Sequence, residues 1–267
     1  MTLAKALYSF NLLPVWRRTV NVWGSGITAS SLDRLVNLCL HHYGLRGGEE
    51  KRFLERHVRP GMRVLDIGAN QGIYSLLLSK LVGSAGHLHC FEPDPLLFAS
   101  LSNNCMRSGA TNIRLHNIGL GSTAGALTLY RSRLNSGDNR LAAGDRAEWF
   151  EPVEVKVSPL SQVLPEDERV DFIKLDVQGW EYQVFQGMRD LLRRNPRVRI
   201  YFEFWPFGLT NAGCAPKELL GYVSSEGFSL HHAENGQLKP VTDFDAFVRT
   251  LPGQKYTDLY AVRGAVA

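Results

Sequence analysis

The stretch of residues 64–72, Val-Leu-Asp-Ile-Gly-Ala-Asn-Gln-Gly, constrains what this chain can fold into more than any other part of it. It reads as a buried strand with an acidic residue at its end, a glycine-rich turn, and a helix over residues 73–81. Glycine lets a backbone approach a ligand closely, and a helix N-terminus offers N–H groups without intrahelical partners. The pattern therefore predicts a strand, a turn and a helix, with an adenosine-bearing cofactor held on the turn.

Strand-like and helix-like segments alternate after this region, which is typical of a parallel sheet with helices on both faces. The strand-like runs are short and apolar, as expected for strands that are covered on both sides. Strands are predicted over residues 63–67, 87–92, 113–118, 170–175, 198–204, 227–232 and 256–262. Helices are predicted over residues 72–82, 95–108, 180–194, 216–226 and 243–250.

The region between the third and fourth of these predicted strands does not follow the alternation of strands and helices. Residues 126–131 and 153–157 alternate in the manner of antiparallel strands, and residues 135–140 between them are rich in turn formers. We therefore expect a β-hairpin-like insertion between strands three and four, with a mobile tip over residues 132–150.

The first part of the chain carries no phosphate-binding loop and is predicted to be helical. Residues 31–43 have apolar side chains at helical spacing, and residues 49–57 are predicted to form a second, short helix. Residues 1–47 are therefore expected to be a helical extension or lid, and residues 48–267 to be the main domain.

Composition and charge narrow the class of protein. With 44% hydrophobic and 21% charged residues and a net charge of +4, the chain suits a globular domain with a substantial core. The arginines between residues 189 and 199 cluster at a predicted helix end, so we expect no nucleic-acid partner. None of the four cysteines forms a Cys-x-x-Cys pair. We therefore expect free thiols and a cytoplasmic protein.

No membrane-spanning segment is expected, because no apolar run reaches the roughly 18 residues that crossing a bilayer requires. The arginines at positions 17 and 18 follow the apolar start of the chain instead of preceding it, which disfavours a signal peptide. A weak peripheral contact with a membrane is still compatible with the apolar residues near the start, which are Leu7, Phe10, Leu12, Leu13 and Trp16.

The glycine spacing distinguishes among the known nucleotide-binding turns. A dinucleotide-binding turn reads Gly-x-Gly-x-x-Gly and a P-loop ends in Gly-Lys-Ser/Thr, whereas this chain has Asp66-x-Gly68-x-x-x-Gly72. The next predicted strand ends at Glu92, and an acidic residue about 20 residues after such a turn binds a ribose in related folds. The pattern therefore disfavours a nicotinamide dehydrogenase and favours another adenosine-bearing cofactor.

Three motifs carry a resemblance to a known family. They are Asp-Ile-Gly-Ala-Asn-Gln-Gly-Ile-Tyr-Ser at 66–75, Phe-Glu-Pro at 91–93 and Phe-Ile-Lys-Leu-Asp-Val-Gln-Gly-Trp-Glu at 172–181. They resemble class I S-adenosylmethionine-dependent methyltransferases and, among these, the FkbM family, over about residues 45–262. The resemblance implies S-adenosylmethionine as cofactor and S-adenosylhomocysteine as product. It also implies an α/β, Rossmann-like three-layer sandwich whose seven-stranded, mostly parallel sheet has an antiparallel last strand.

The resemblance further implies which residues bind the cofactor. Asp66 and Gly68 would border its methionine end, Glu92 would hold the ribose, and Asn117 and Ile118 would flank the adenine. The full set of cofactor-binding candidates is Asp66, Gly68, Asn70, Gly72, Tyr74, Glu92, Asn117, Ile118 and Asp176.

Some of these positions have a second interpretation or depart from the family pattern. Asn70 also suits a helix cap, and Tyr74 also suits core packing. Gln178 stands where the family usually has Glu, so acid–base work is not expected of it. Trp180 stands where the family usually has a small residue, which predicts a narrower substrate pocket.

The chemistry on the acceptor is expected where the fourth and fifth predicted strands end, since ligands bind there in open α/β sheets. Asp176 is the first candidate for a catalytic base, and Lys174, two residues earlier, points to the same face. Glu181 and Glu203 complete the catalytic candidates, and each of the four also suits a structural ion pair or hydrogen bond. Oxygen ligands from Asp176 and Glu203 would suit a divalent cation, but no metal site is expected.

These patterns together predict an enzyme, an S-adenosylmethionine-dependent methyltransferase that acts on a small-molecule or glycan acceptor. The favoured reaction is O-methylation of a hydroxyl on a sugar, a glycan or a polyketide-like product. N-methylation of a small molecule and a catalytically silent methyltransferase fold that serves as a binding module are the alternatives.

Overall fold

The computed structural model describes residues 19–28, 48–133, 135–142, 149–234 and 237–264. The predicted helix over residues 31–43 and the apolar residues with a predicted membrane contact lie outside the described residues. Part of the tip over residues 132–150, which was predicted to be mobile, lies outside them as well.

Helices and strands alternate through most of the described chain. The helices are α1 (Gly48–His57), α2 (Ile73–Val82), α3 (Pro95–Ser108), α4 (Glu181–Gly187), α5 (Arg189–Arg194), α6 (Pro206–Asn211), α7 (Pro216–Ser225) and α8 (Phe244–Arg249). The strands are β1 (Thr19–Val22), β2 (Ser25–Thr28), β3 (Arg63–Ile67), β4 (His87–Phe91), β5 (Ile113–His116), β6 (Gly119–Leu120), β7 (Gly125–Ser132), β8 (Phe150–Ser158), β9 (Phe172–Leu175), β10 (Arg199–Phe204), β11 (Ser229–Glu234), β12 (Gln237–Pro240) and β13 (Thr257–Val262).

The central sheet has the strand order β12-β11-β13-β10-β9-β3-β4-β5. Its strands from β10 to β5 are parallel, and β13 is antiparallel to both β10 and β11, as predicted for the last strand. The sequence predicted seven of these strands, and β12 is an additional one that pairs with β11 at the edge. The strand order reverses between β3 and β9, and ligands bind beyond the carboxyl ends of strands at such a point.

Side chains alternate across this sheet and form one apolar layer on each face. Leu65 and Ile67 of β3 belong to the layer that contains α4 and α7, whereas Val64 belongs to the layer that contains α2 and α3. This period of two is what a strand covered on both faces requires. The predicted three-layer sandwich is therefore confirmed.

The start of the described chain differs from the predicted helical extension. Residues 19–28 form an antiparallel hairpin of β1 and β2. The side chain of Ile27 is buried in the apolar layer of α2 and α3. Asn104 of α3 accepts a hydrogen bond from the Thr28 N–H at 3.0 Å and donates to the Thr28 carbonyl at 3.2 Å. The hairpin is stabilised by these tertiary contacts, which a pattern of local helical spacing does not reveal.

The predicted helix over residues 180–194 is divided into α4 and α5. A Cβ at Gly187 would lie only 1.9 Å from the carbonyl oxygen of Gly121, so α4 ends where it meets the backbone after β6. The predicted hairpin-like insertion is present as the antiparallel pair of β7 and β8, to which β6 adds a short parallel strand. Within the described residues, no helix is both long and apolar enough to cross a membrane.

Candidate active site

The turn between β3 and α2 passes close to the end of β9. Gly68 and Gly72 both adopt a left-handed conformation, with φ of 82° and 90°. A Cβ at Gly68 would lie 1.8 Å from the carbonyl oxygen of Asp176, and one at Gly72 would lie 2.7 Å from Leu101 Cδ1 of α3. Both the backbone conformation and the lack of space therefore require glycine at position 68.

The carboxyl group of Asp66 is fully buried behind this turn. Its Oδ2 accepts a 2.6 Å hydrogen bond from Ser75 Oγ, and its Oδ1 has no hydrogen-bond partner among the described residues. Burial raises the pKa of Asp66, while the charge of Lys174 opposes that rise. The structure thus places this cofactor candidate behind the turn, as a support of α2.

The carboxyl group of Glu92, which follows β4, is held by two backbone N–H groups. Its Oε2 accepts from Asn70 at 2.8 Å and its Oε1 from Asp94 at 2.9 Å. Burial raises the pKa of Glu92 to about 8, although the two N–H donors oppose the rise. Each carboxyl oxygen retains a lone pair that these bonds do not use, so the group can still bind a pair of hydroxyls.

The two candidates after β5 have different surroundings. Asn117 Nδ2 donates to the carbonyl of Glu92 at 2.8 Å and to that of Pro93 at 3.1 Å, so it shapes the loop that carries Glu92. Ile118 lines a cavity beside that loop. The structure therefore brings Ile118, and not the side-chain amide of Asn117, to a cavity wall.

The insertion is fastened to the loop after β4 by a group that we call the insertion latch, which consists of Asp94, Arg131 and Asn139. Arg131 donates from Nε and Nη2 to both oxygens of the buried Asp94, at 2.7 and 2.8 Å. Asn139 Nδ2 donates to Asp94 Oδ2 at 3.1 Å. Nearby, Asn70 Nδ2 donates to the carbonyl of Ser136 at 3.1 Å. These bonds hold the insertion over the glycine-rich turn.

A cavity, which we call the turn cavity, lies between the glycine-rich turn, the loop after β4 and the insertion. Its lining is apolar except at a few positions where polar groups converge, as is typical of small-molecule sites. Its walls include Ile67, Gly68, Asn70, Glu92, Leu97, Ile118, Leu129, Ser136, Gly137, Asp176, Gln178 and Trp180.

A second cavity, which we call the acidic cavity, opens beyond the ends of β9 and β10 and has a volume of about 560 Å³. It adjoins the turn cavity, since Gly137, Asp176 and Gln178 line both. Its other walls include Glu50, Tyr74, Asp138, Lys174, Tyr201, Glu203, Trp205, Gln254, Tyr256 and Asp258. Tyr74, predicted to bind the cofactor, therefore lies on this second cavity.

Gln178 connects the two carboxylates at the ends of β9 and β10. It has φ of 53°, and its Nε2 donates to Asp176 Oδ1 at 2.8 Å and to Glu203 Oε2 at 2.9 Å. Lys174 Nζ lies 3.6 Å from the other oxygen of Asp176. The structure therefore brings the predicted Lys174, Asp176 and Glu203 together, and it adds Gln178 as the bridge between them.

Lys174 is the buried cation of this group. Its side chain is 3% exposed, and its Nζ also lies 3.9 Å from Glu50 Oε1 and 4.9 Å from the ring centre of Tyr74. Burial opposes its charge, but the carboxylates of Asp176, Glu50 and Asp66 outweigh burial and raise the pKa of Lys174. Lys174 therefore stays protonated and is already paired.

Three acidic residues of the acidic cavity were missed by the sequence interpretation, namely Glu50, Asp138 and Asp258. Burial raises the pKa of Glu50 on α1 to about 7, and that of Asp258 on β13 to about 6. Asp258 accepts a 2.8 Å hydrogen bond from Tyr201 Oη and lies opposite Glu203 in the register of β10 and β13. The antiparallel pairing of the last strand was a usable signal for Asp258, because it brings the start of β13 to the end of β10.

Comparison with known families decides what kind of site these cavities form. A family model described as the methyltransferase FkbM domain matches residues 66–230. The chain belongs to this family. The match contains the glycine-rich turn, Glu92, the insertion, Asp176 and Glu203, so the turn cavity and much of the acidic cavity lie within the FkbM domain.

Relatives of the chain are also methyltransferases by name. The chain is 28% identical over 155 residues to the methyltransferase sdnD of Sordaria araneosa, covering 47% of this chain and 60% of that protein. It is 27% identical over 146 residues to methyltransferase 1 of Beauveria bassiana, covering 48% and 58%. The chain thus spans about 60% of the length of the curated relatives that it matches.

Solved structures with a similar backbone fold share little sequence identity with this protein. An S-adenosylmethionine-dependent O-methyltransferase from Thermotoga maritima is 14% identical, with 94% of this chain and 79% of that chain covered and a TM-score of 0.46. A methyltransferase from Aquifex aeolicus is 16% identical, with 87% and 98% covered and a TM-score of 0.44.

The chain is a member of the FkbM methyltransferase family, and the turn cavity fits S-adenosylmethionine. Gly68 offers backbone without a side chain, and Glu92 offers two oxygens with unused lone pairs. Ile118 and Leu97 supply apolar walls. These groups suit the sulfonium-bearing chain, the ribose and the adenine respectively.

Two remaining expectations concern Glu181 and metal ions. The fully buried Glu181 accepts hydrogen bonds from the N–H groups of Val177 at 3.1 Å and Gly179 at 3.3 Å through Oε1. It lies on the wall of neither cavity, so the structure does not bring it to the other three catalytic candidates. In the described part of the chain, no three or more His, Cys, Asp or Glu residues are arranged to hold a metal ion.

Proposed function

We propose that this FkbM methyltransferase transfers the methyl group to a hydroxyl of a sugar, a glycan or a polyketide-like acceptor bound in the acidic cavity. The observation that carries the proposal is that Asp176 and Gln178 line both cavities. A hydroxyl beside Asp176 is therefore next to the turn cavity, in which the cofactor fits.

Methyl transfer to a hydroxyl needs a proton acceptor and a fixed geometry. S-adenosylmethionine supplies a methyl group on a good leaving group. Asp176 accepts the proton of the acceptor hydroxyl, since its carboxylate lies between the donors Lys174 and Gln178, which fix its position. Such a positioned base contributes about 10²–10⁴-fold to a rate, and orientation of the reactants contributes more.

In this proposal the cofactor is held by groups around the turn. Glu92 accepts hydrogen bonds from the ribose hydroxyls, the backbone at Gly68 lies against the methionine end, and Ile118 packs against the adenine. The N–H groups of Asn70 and Asp94 fix the Glu92 carboxyl group before the cofactor arrives, which reduces the ordering that binding requires.

The acidic cavity disfavours a nucleic-acid acceptor, because carboxylates repel the phosphate backbone that supplies most of the affinity in such complexes.

The described cysteines Cys90, Cys105 and Cys214 are free and buried. Free thiols are typical of a reducing compartment, which supports the cytoplasm as the place of the reaction.

The test combines binding of the cofactor with turnover. Calorimetry should show binding of S-adenosylmethionine and not of NAD, and Glu92→Ala should weaken that binding by about 100-fold through the loss of charged hydrogen bonds. Absence of S-adenosylmethionine binding to the wild-type protein contradicts the assignment of the turn cavity.

Turnover then tests the base. With a hydroxyl acceptor and isotopically labelled S-adenosylmethionine, Asp176→Asn should lose about 10²–10⁴-fold in kcat and keep its affinity for the cofactor. The exposed Asp245→Asn is the matched control. Full kcat in Asp176→Asn, or a label found only on nitrogen, would contradict O-methylation with Asp176 as base and favour N-methylation.

A further inference from the structure

We propose that the acidic cavity recognises a protonated amino group of the acceptor through Glu203 and Asp258, so that the acceptor is an amino sugar or another amino alcohol. This inference rests on the proposed function, since it describes the substrate of the same site. The ammonium group is a recognition element, and the methyl group is transferred to a neighbouring hydroxyl at Asp176.

The charges around the cavity do not balance. Its acidic lining residues are Glu50, Asp138, Asp176, Glu203 and Asp258, and Lys174 is the only cation among the described residues of its wall. Lys174 lies 3.6 Å from Asp176 and 3.9 Å from Glu50, so its charge is already shared between these two. In the part of the wall that contains Glu203 and Asp258, the acidic groups therefore outnumber the cations.

Glu203 is a buried carboxyl group of this wall with a hydrogen bond to only one of its two oxygens among the described residues. It is 8% exposed, its Oε2 accepts from Gln178, and its Oε1 has no hydrogen-bond partner among the described residues although the side chain lines the cavity. Burial and then the charges of Asp176, Glu181 and Asp258 raise its pKa well above the usual range, although the hydrogen bond from Gln178 opposes the rise. A buried carboxylate of this kind is stabilised by a bound cation.

The register of the sheet places a second carboxylate beside Glu203. Asp258 lies directly opposite it across β10 and β13, and directly opposed residues of an antiparallel pair share one face with Cβ atoms about 5 Å apart. Like charges at such a pair destabilise each other. An ammonium group offers three donors on one centre, so it can bind both carboxylates and remove this repulsion.

The walls around this pair suit an organic cation. Trp205 and Tyr256 also line the cavity, and Tyr256 is 63% exposed at its outer edge. Trp205 Nε1 is buried and has no hydrogen-bond partner in the described part of the chain. Aromatic faces attract alkylammonium groups, and the indole N–H can donate a hydrogen bond to a hydroxyl of the same ligand.

The arrangement separates recognition from transfer. Asp176 lines both the turn cavity and the acidic cavity, whereas Glu203 and Asp258 line the acidic cavity and not the turn cavity. Gln178 fixes the distance between the two carboxylates, because its amide nitrogen donates to Asp176 at 2.8 Å and to Glu203 at 2.9 Å. A ligand nitrogen bound at Glu203 and a ligand hydroxyl bound at Asp176 would therefore lie on either side of the Gln178 amide group.

The experiment uses four methyl glycosides that share one ring. Methyl glucosaminide carries the ammonium group, methyl N-acetylglucosaminide and methyl glucoside are neutral, and methyl glucuronide is an anion. Each is titrated calorimetrically at neutral pH into the full chain saturated with S-adenosylhomocysteine. We expect the glucosaminide to bind at least about ten-fold more tightly than the other three, as a charged hydrogen bond predicts.

Variants test whether Glu203 is the source of that preference. Glu203→Gln keeps the hydrogen bond with Gln178 but removes the charge, so it should lower affinity for the glucosaminide about ten-fold and leave that for the glucoside unchanged. Glu203→Asp should restore part of the preference, and the exposed Asp245→Asn is the control for net charge. A loss that is equal for the charged and neutral glycosides would indicate a structural role only and would overturn the proposal.

Three further outcomes overturn the proposal: equal binding of the four glycosides, no binding of the glucosaminide, or preference for the glucuronide. Transfer of labelled methyl to the nitrogen of the glucosaminide overturns it as well. Each is distinct from failure of the proposed function, which shows as absence of S-adenosylhomocysteine binding in the same titration series. Tight binding of Mg²⁺ at Glu203, removed by Glu203→Gln, would assign the site to a metal instead.

Discussion

At the scale of single residues, glycine 68 shows why the first motif of the sequence is so informative. Its missing side chain makes room for the carbonyl oxygen of Asp176, 1.8 Å from where a Cβ would lie. The presence of glycine in a nucleotide-binding turn is usually explained by the close approach of the ligand to the backbone. Here the end of β9 alone would already require it.

Substitution at this position should therefore destabilise the protein without any ligand present. Gly68→Ala should lose about 4 kcal/mol or more in the free energy of unfolding, because the new methyl group overlaps backbone that cannot move alone. Gly109→Ala is the matched control, since Gly109 is left-handed, with φ of 70° and ψ of 13°, but has no atom within 4 Å of its Cβ position. The control should lose only about 1–2 kcal/mol. Equal losses in urea denaturation would contradict the close approach.

The buried Glu181 makes stability depend on pH. Burial raises its pKa from 4.5 to about 7 in the folded state, so the folded protein holds a proton that the unfolded chain releases. This contribution is fully present below pH 4.5 and is lost as the pH rises toward 7.

Glu181→Gln removes that titration and keeps an oxygen for the N–H groups of Val177 and Gly179. Between pH 4.5 and 7 the variant should therefore gain stability relative to wild type, by about 3 kcal/mol at most. Glu181→Ala, which also loses the two hydrogen bonds, should be less stable than Glu181→Gln at every pH. Parallel pH profiles of wild type and Glu181→Gln in denaturant melts would show that Glu181 does not titrate in this window.

At the scale of elements, the insertion latch joins a surface hairpin to the loop that carries Glu92. Arg131→Ala leaves the buried Asp94 without its charged partner, which should cost about 3 kcal/mol of stability. It should also raise the KM for S-adenosylmethionine more than it lowers kcat, because the latch positions the wall of the turn cavity and touches no reacting atom. Arg107→Ala, which removes exposed hydrogen bonds to β1 and β2, is the control.

Steady-state kinetics at varied S-adenosylmethionine, with Arg131→Lys as a conservative variant, separates the two effects. Lysine keeps one charged contact but loses the bidentate geometry, so it should recover part of the KM and part of the stability. An Arg131→Ala enzyme with wild-type KM would mean that the insertion is not needed to hold the cofactor.

Elements that are defined by local patterns were predicted well. The apolar runs of β3, β9 and β10 identified buried strands. The helix predicted over residues 95–108 is present as α3, and the Asp94 side chain caps it by accepting a hydrogen bond from the Leu96 N–H. The hairpin of β1 and β2 and the break at Gly187 were missed, because both depend on contacts with distant backbone. Local sequence carries little information about such contacts.

At the scale of the whole molecule, the cofactor side of the site was more predictable than the acceptor side. Gly68 and Glu92 come from consecutive elements whose order alone brings them together. Glu50 and Asp258 come from α1 and β13, and only the assembled sheet brings them to the cavity that Glu203 also lines. The cavity proposed for the acceptor thus depends on the complete fold, which explains why the motifs indicated the donor first.

The side chain of Asn104 links the hairpin at the start of the described chain to the glycine-rich turn. Its buried Nδ2 donates to Thr28 of β2 and to the carbonyl of Gln71 in the glycine-rich turn, at 3.2 and 2.9 Å. Asn104→Ala should lower stability by about 1–3 kcal/mol and weaken S-adenosylmethionine binding, because unpaired buried backbone groups remain. The exposed neighbour Asn103→Ala is the control for α3. A loss of stability with unchanged affinity would mean that β2 and the turn are independent.

The contact between Gly68 and the carbonyl of Asp176 also has a consequence for how such an enzyme can change its substrate. In the proposed mechanism the donor turn and the base Asp176 meet backbone to backbone, so the main chain sets the distance over which the methyl group travels. Tyr256 and Trp205, which line the cavity proposed for the acceptor, lie in loops just before β13 and just after β10. Substitution of such side chains can therefore change which acceptor binds, while the backbone contact between Gly68 and Asp176 keeps the geometry of methyl transfer the same.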